Sequence, residues 1–250
     1  MEDDIMPLSS SELKKTKDWI EKIKNYSVDD IPPGMNLGKA AGGYYSTIQL
    51  IFSYVDTFGA HFKGTQSAEN ATEFIREYFS KVNPRYEDIA GILYSVFRHG
   101  IVHTSHPKPF VVNDTLYLGL VGGKDFERIL DNKFVWKKGQ GGDDQIYTHL
   151  YPQQPDPSHL VSKKYQRYHG PYMFPISIVQ LYNDFKEAVG HYINDLRTDP
   201  ALQNKAFDMM NKIQKSTKFS INGLGEVIED NPSKGKGNRK YIKVTELEKL

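Results

Sequence analysis

Apolar residues recur at about helical spacing near the start of the chain and predict a first, amphipathic helix. Ser9 and Glu12 have the spacing of a capping box, in which each side chain bonds to the other residue's backbone N–H. The apolar positions that follow lie among lysines and are Leu13, Trp19, Ile20 and Ile23. Residues 29–38 contain the sequence Pro-Pro-Gly, which is typical of a loop, and we expect one there.

The segment from Tyr44 to Phe62 is apolar on almost every face and predicts a second, buried helix. Its few polar residues fall at steps of four and three, so on a helix they form one stripe. Buried polar groups are paired in folded proteins, and the stripe therefore needs partners elsewhere in the chain. Its members are Gln49, Ser53, Asp56 and Thr57.

Two further helices are predicted between residues 67 and 107. Ser67 or Asn70 is a suitable N-cap for a third helix that runs through Phe79. Pro84 suits the first turn of a fourth helix, which ends by Pro107. The apolar stripe of this fourth helix consists of Tyr86, Ile89, Ala90, Leu93, Val96, Phe97 and Ile101.

The pattern changes after residue 109 to short apolar runs that are typical of strands. Residues 110–112 and 116–118 flank Asn113-Asp114 as two strands flank a turn, and further strands are predicted at 134–136 and 146–150. Five prolines between residues 152 and 175 predict a long ordered loop. Helical periodicity returns at 176–196 and 200–213, and residues 219–221 and 241–244 predict a terminal hairpin around a basic, mobile loop.

These elements predict a mainly α protein of the α+β class. We expect a helical domain over residues 1–215 with a β-rich and loop insertion at about 107–174. Residues 216–250 would form a C-terminal hairpin or a flexible basic tail. The length of 250 residues allows either one elaborated domain or one domain with a small appendage.

Composition narrows the classes of function. The 32 Lys and Arg residues almost balance the 31 Asp and Glu residues, so binding to nucleic acid would have to be local. The absence of cysteine excludes disulfides, thiolate metal sites and cysteine nucleophiles, and fits a reducing compartment. The N-terminus is acidic where a signal peptide would be basic, and no apolar run approaches the roughly 20 residues that span a bilayer. We therefore expect a cytoplasmic protein that does not enter a membrane.

The end of the fourth helix carries the residues best suited to chemistry, Arg98, His99 and His103. An arginine is a permanent planar cation that suits phosphate oxygens, and a histidine titrates near neutral pH. On an ideal helix His99 and His103 share a face, whereas Arg98 lies about 140° away from His103. Together these side chains could bind a phosphodiester and move a proton, and in RNA the 2′-hydroxyl would supply the nucleophile without a metal.

Arg98, the polar His99, three further residues and His103 resemble the Arg-x4-6-His motif of HEPN domains, the higher-eukaryote and prokaryote nucleotide-binding helical bundles. The likeness covers roughly residues 40–104 and the helix from about 176, and bacterial members of unassigned function have a similar run. This resemblance implies a dimerising bundle and, in many members, a metal-independent endoribonuclease at the dimer interface. By analogy Arg98 would hold the phosphate, His103 would be the acid or base, and His99 would orient or assist. Asp56, a carboxylate on the second helix, could orient a catalytic histidine or arginine.

Three other interpretations remain open. Arg98 could form a structural ion pair with Asp56 while His103 caps the last carbonyls of its helix. The domain could be a non-catalytic module that binds nucleotide, nucleic acid or a protein partner, for example in defence or in a toxin–antitoxin pair. A metal site at His99, His103 and His106 is the third interpretation, but the surrounding sequence lacks the further residues of a metalloprotease motif. We expect neither a cofactor nor a metal.

Overall fold

A computed structural model describes residues 6–36, 43–104, 106–122, 133–136, 145–154, 166–216, 220–221, 226–228 and 242–243. These residues are mainly helical and include a small mixed sheet, which confirms the predicted class. The helices are α1 (Ser10–Asn36), α2 (Gly43–Lys63), α3 (Ala68–Phe74), α4 (Arg85–Ile92), α5 (His99–Thr104), α6 (Ile178–Thr198) and α7 (Pro200–Ser216). Among the described residues, none of these helices has the length and apolar character needed to cross a membrane.

Two π turns, in which backbone bonds reach five residues along the chain instead of four, interrupt the helices. The first π turn (Ile75–Phe79) extends α3, and the second π turn (Leu93–Arg98) joins α4 to α5. The third and fourth predicted helices are therefore present with the expected extents, but each contains a turn of different pitch. Arg98 is the last residue of the second π turn, and His103 lies in α5.

The predicted starts of α1 and α3 are confirmed by their capping bonds. At α1 the backbone N–H of Ser9 donates to Glu12 Oε2 at 3.0 Å, and the N–H of Glu12 donates to Ser9 Oγ at 3.4 Å. At α3 the hydroxyl of Ser67 accepts the N–H of Asn70 at 3.1 Å. These side chains satisfy N–H groups that have no partner inside the helix.

The loop predicted at residues 29–38 is wrong for residues 29–36, because α1 continues to Asn36. Proline removes a backbone donor and normally ends a helix, and Pro32 and Pro33 lie in the last turns of α1. Two contacts hold these turns in place. Ile31 is fully buried in the core, and the hydroxyl of Tyr54 in α2 donates to the carboxylate of Asp30.

The core is formed where α2 packs against α1, α3, α6 and α7. Aromatic rings dominate its centre, and the ring of Tyr192 in α6 lies 5.7 Å from that of Phe74 and 6.0 Å from that of Phe58. Edge-to-face contacts of this kind add to the free energy gained from burying the rings. These aromatic side chains therefore serve to pack the helices against one another.

The strands are β1 (Phe110–Val112), β2 (Thr115–Gly122), β3 (Lys133–Trp136), β4 (Gln145–Thr148), β5 (His169–Ser177), β6 (Ser220–Ile221), β7 (Glu226–Ile228) and β8 (Ile242–Lys243). β1 and β2 form the predicted hairpin, and β3 pairs antiparallel with β4. Asn113 and Asp114 both have positive φ, 47° and 58°, as a two-residue type I′ turn requires. β2 also pairs in parallel with β5, giving the order β1-β2-β5.

Two predictions in the β regions are wrong. The long loop predicted at 152–175 contains most of β5, whose prolines Pro171 and Pro175 lie in an edge strand, where a missing N–H is tolerated. Residues 155–165 of that loop lie outside the described residues. The terminal hairpin is a three-stranded sheet in which β7 lies between β6 and β8, and the basic loop predicted there lies outside the described residues.

Candidate functional site

The second π turn sets the geometry around the Arg98 motif. The backbone N–H of His99 donates to the carbonyl of Tyr94, five residues earlier. This longer turn brings residues five apart onto one face, and the rings of Tyr94 and His99 meet edge to face with centroids 5.1 Å apart. π turns are frequent at functional sites, so this irregularity marks the same segment that the motif indicates.

Arg98 forms an ion pair with Asp56 of α2. Its Nη2 lies 2.9 Å and its Nε 3.3 Å from the same carboxylate oxygen, Oδ2. The two side chains are partly exposed, 27% for Arg98 and 18% for Asp56, so the pair lies at the surface of the bundle. The Nη1 donor of the guanidinium takes no part in this pair. The ion pair between Arg98 and Asp56 that a structural role predicts is therefore present, and solvent can reach it.

Tyr94 completes the cluster. Its hydroxyl donates to the other carboxylate oxygen of Asp56, Oδ1, at 2.7 Å, and the guanidinium carbon of Arg98 lies 5.7 Å from the centre of its ring. Burial raises the pKa of Tyr94 to about 12, and the hydrogen bond to Asp56 and its negative charge act in the same direction. The hydroxyl is therefore protonated at neutral pH and serves as a donor.

Tyr94 lies outside both the apolar stripe and the site that the sequence predicts for this helix. A signal was available in its spacing, since Tyr94 precedes Arg98 by four residues and so shares its face on an ordinary helix. The side chain is 5% exposed and its ring meets Phe52 edge to face at 6.5 Å. Tyr94 thus belongs to the core by its ring and to the polar cluster by its hydroxyl.

The polar stripe of α2 faces the motif and is partly exposed, so the prediction that this helix is buried holds only for its apolar face. Gln49 Nε2 donates to the backbone carbonyl of Ile101 in α5 at 3.0 Å, and Asp56 binds Tyr94 and Arg98 as described. Ser53 and Thr57 bond within α2, each to the carbonyl four residues earlier. The stripe therefore ties α2 to the helix end that carries the motif.

The backbone after α5 lies close to the start of that helix. A Cβ atom at Gly100 would lie 2.7 Å from the backbone nitrogen of Lys108 and 2.9 Å from the carbonyl oxygen of His106. The N–H of Lys108 donates to the carbonyl of Val96 at 3.2 Å. Glycine is needed at position 100 because the chain folds back over it after α5, which places His106 beside the start of that helix.

The structure thus brings together Asp56, Arg98 and His99 of the predicted site, with Tyr94 added. His103 is in α5, but its side chain lies outside the described residues. The ring of His106 lies 5.3 Å from that of Tyr45. Within the described part of the chain, no three His, Asp or Glu side chains are grouped so as to hold a metal ion.

A second polar cluster, which we call the buried latch, consists of Tyr86, His149, Asp184, Gln180 and Ser177. The hydroxyl of Tyr86 donates to Asp184 Oδ2 at 2.6 Å, and Gln180 Nε2 donates to Asp184 Oδ1 at 2.7 Å. The N–H of Ser177 donates to His149 Nδ1 at 3.0 Å, and His149 Nε2 lies 3.2 Å from the Tyr86 hydroxyl.

The buried latch is closed to substrates. Tyr86, His149 and Asp184 are each at most 3% exposed. Burial lowers the pKa of His149, against the opposing effect of Asp184, so the imidazole is held neutral. Because its Nδ1 accepts a hydrogen bond, its proton is on Nε2 and can be donated to Tyr86. The latch joins α4, the turn after β4 and α6, and we assign it a structural role.

The comparisons with known proteins leave the site to be interpreted from its own geometry. No protein-family model matches the chain, and no significant match to a curated protein or to a solved structure was found.

Proposed function

We propose that this protein is a HEPN-like, metal-independent endoribonuclease whose site is centred on Arg98 and His103. The observation that supports the proposal is the position of Arg98, which is partly exposed and directly precedes the short helix that carries His103. Asp56 binds one edge of its guanidinium, and Tyr94 in turn donates a hydrogen bond to Asp56. A guanidinium fixed in this way and still reachable by solvent suits a phosphate oxygen. The motif supplies a titrating side chain five residues further on.

In the proposed reaction the 2′-hydroxyl of a ribose attacks the adjacent phosphorus, and the 5′-oxygen of the next nucleotide leaves. The products are a 2′,3′-cyclic phosphate and a 5′-hydroxyl. Arg98 would bind the non-bridging oxygens and stabilise the charge that develops on them. His103 would take or give the proton, His99 would assist, and Asp56 would orient Arg98. No metal enters these steps.

The resemblance also leads us to propose a homodimer, with the cleft that admits RNA formed between two copies. The near balance of charges means that affinity would come from Arg98 and its surroundings and not from the overall field. A cytoplasmic location, and a role in defence or in a toxin–antitoxin pair, belong to the same proposal.

Cleavage of RNA in EDTA tests this function. We expect the purified protein to cleave RNA without added metal, and Arg98→Ala and His103→Ala each to lower the rate by at least about a hundredfold, the lower limit for losing a general acid–base or a phosphate contact. Arg76→Ala is the matched control, because Arg76 lies in the first π turn and pairs with Glu73 at the surface. Equal cleavage by the wild-type protein and the Arg98 and His103 variants would exclude the mechanism.

A second candidate is a non-catalytic module that binds nucleotide, nucleic acid or a protein partner. The observation in its favour is that Asp56 already neutralises Arg98, as in a structural ion pair. This candidate predicts binding of RNA without turnover. It also predicts that Arg98→Ala lowers the free energy of unfolding, by less than the roughly 3–5 kcal/mol typical of a broken buried pair, because solvent screens these partly exposed side chains. Urea unfolding of the variant beside its cleavage assay separates the two functions.

A further inference from the structure

We propose that Tyr94 is a positioning residue that keeps Arg98 open to an RNA phosphate by holding the carboxylate of Asp56 to one edge of the guanidinium. The inference rests on the proposed function, because it assumes that Arg98 binds phosphate. It concerns a residue outside the Arg-x4-6-His motif. Its evidence is that the two carboxylate oxygens of Asp56 accept hydrogen bonds from different residues, one from Tyr94 and the other from Arg98.

The two oxygens of Asp56 have different partners. Oδ2 accepts from both Nε and Nη2 of Arg98, whereas Oδ1 accepts from the hydroxyl of Tyr94 at 2.7 Å. An unrestrained carboxylate beside a guanidinium commonly binds with both oxygens in two parallel bonds. By occupying Oδ1, Tyr94 limits Asp56 to a one-oxygen contact with Arg98.

Removal of the hydroxyl would release Oδ1. The carboxylate could then rotate and bind the guanidinium with both oxygens, because Arg98 is already in contact with its Oδ2. Such a pair gives Nε and Nη2 one oxygen each in two parallel bonds, and it neutralises the cation more completely. Tyr94 therefore weakens the hold of the Asp56 carboxylate on Arg98. An RNA phosphate can then compete for the guanidinium more easily.

The ring of Tyr94 is well placed to keep the hydroxyl fixed. It is almost fully buried, with Phe52 against it on one side and the ring of His99 edge to face at 5.1 Å. The second π turn is responsible for the contact with His99, since the two residues are five apart. One side chain thus touches Asp56, Arg98 and His99, three of the four residues assigned to the site.

Binding of a single-stranded RNA oligonucleotide with 2′-O-methyl groups tests the inference, because this probe cannot supply the attacking hydroxyl. We expect Tyr94→Phe to bind it about tenfold more weakly, in line with the loss of one phosphate contact. We also expect the slope of log K against log salt to fall by about 0.7, the value for one phosphate contact on a single strand. A purely structural role would leave that slope unchanged.

The matched control is Tyr54→Phe, which removes the same atom from another tyrosine–aspartate bond, the one between Tyr54 and Asp30. It should leave both the affinity and the salt slope unchanged. Thermal unfolding of each variant confirms that the fold is retained. In an Asp56→Asn background, where no carboxylate competes, Tyr94→Phe should change the affinity by less than about twofold.

The outcomes distinguish this inference from the proposed function. If Arg98→Ala lowers the affinity and the salt slope but Tyr94→Phe does neither, the role of Tyr94 is excluded and the proposed function stands. If the wild-type protein does not bind the probe, or Arg98→Ala binds it as well as the wild type, Arg98 is not a phosphate site and both are excluded. An equal effect of Tyr94→Phe with and without the carboxylate of Asp56 would also overturn the inference.

Discussion

Asp184 is a buried carboxylate on which several side chains depend. It is 3% exposed and accepts hydrogen bonds from Tyr86 and Gln180, while His149 Nε2 lies 3.6 Å from it. Alanine at this position would leave the fully buried Tyr86 hydroxyl and the partly buried Gln180 amide without this acceptor. We expect Asp184→Ala to lower the free energy of unfolding by about 3–5 kcal/mol, as measured by urea denaturation.

Asp88→Ala is the control for that measurement. Asp88 also pairs with a neighbour on α4, Arg85 at 3.3 Å, but its side chain is 70% exposed. Exposed ion pairs contribute little, so the control should change stability by less than about 1 kcal/mol. Similar values for the two variants would mean that the buried latch does not hold α6 to α4.

At the level of elements, α2 and α3 approach each other closely at Gly59. A Cβ atom there would lie 2.7 Å from the Cα of Ala71 and 2.8 Å from the carbonyl oxygen of Asn70. Both are backbone atoms, which cannot move without shifting α3. We expect Gly59→Ala to destabilise the protein by about 1–3 kcal/mol in urea unfolding, although alanine favours a helix.

On α6, by contrast, we expect Gly190→Ala to increase stability. No atom lies within 4 Å of a Cβ built at Gly190. The substitution should therefore stabilise the protein by about 0.5–1 kcal/mol through the lower backbone entropy of alanine. If both glycine variants were more stable than the wild type, helix propensity and not the α2–α3 contact would decide the effect at Gly59.

The helices could be predicted because their apolar residues repeat at a fixed interval, and α2 begins and ends within one residue of the predicted limits. The turn at Asn113-Asp114 was also readable, since few residues accept positive φ at two successive positions. The end of α1 and the strand β5 were not, because both contain prolines that local preference places in loops. Ile31 and the pairing with β2 outweigh that preference, and both depend on distant residues.

In the candidate site, too, features visible in the local sequence could be predicted and features that depend on the fold could not. Asp56 was identified as a partner of Arg98 because it interrupts an apolar helix with a charge, and the two residues are in contact. The π turns leave no mark in the apolar pattern, so the contact between Tyr94 and His99 was not foreseen. The buried latch was missed for another reason, since Tyr86, His149 and Asp184 lie far apart in sequence and come together only through the fold.

For the whole molecule, two buried histidines predict how stability depends on pH. His61 Nε2 accepts a hydrogen bond from Trp19 Nε1 at 3.0 Å, which joins α1 to α2, and His149 Nδ1 accepts one from Ser177. Burial lowers the pKa of both imidazoles. In the unfolded chain the same groups bind protons below about pH 6.5. The stabilisation is thus complete above that pH and is lost as the pH falls towards the folded pKa values.

We expect the free energy of unfolding to decrease from pH 7.5 to pH 5.5, with a slope of up to about 1.4 kcal/mol per pH unit for each histidine. Urea unfolding at several pH values measures the slope, and His61→Gln and His149→Gln should each reduce it. His191→Gln is the control, because that side chain is 38% exposed. If stability did not change with pH, or if His191→Gln reduced the slope as much, the slope could not be assigned to His61 and His149.

The second π turn has a consequence for aligning this chain with others. A π turn holds one residue more than an α-helical turn does, so the segment Leu93–Arg98 behaves as an α-helix with a one-residue insertion. Each residue of an α-helix advances by about 100°, and an ungapped match to an uninterrupted helix would rotate one half relative to the other by that amount. Such a match would pair the residues after Arg98 with positions on the wrong face. A correct alignment carries its gap between Leu93 and Arg98, and the five-residue interval from Arg98 to His103 remains intact on the C-terminal side of it.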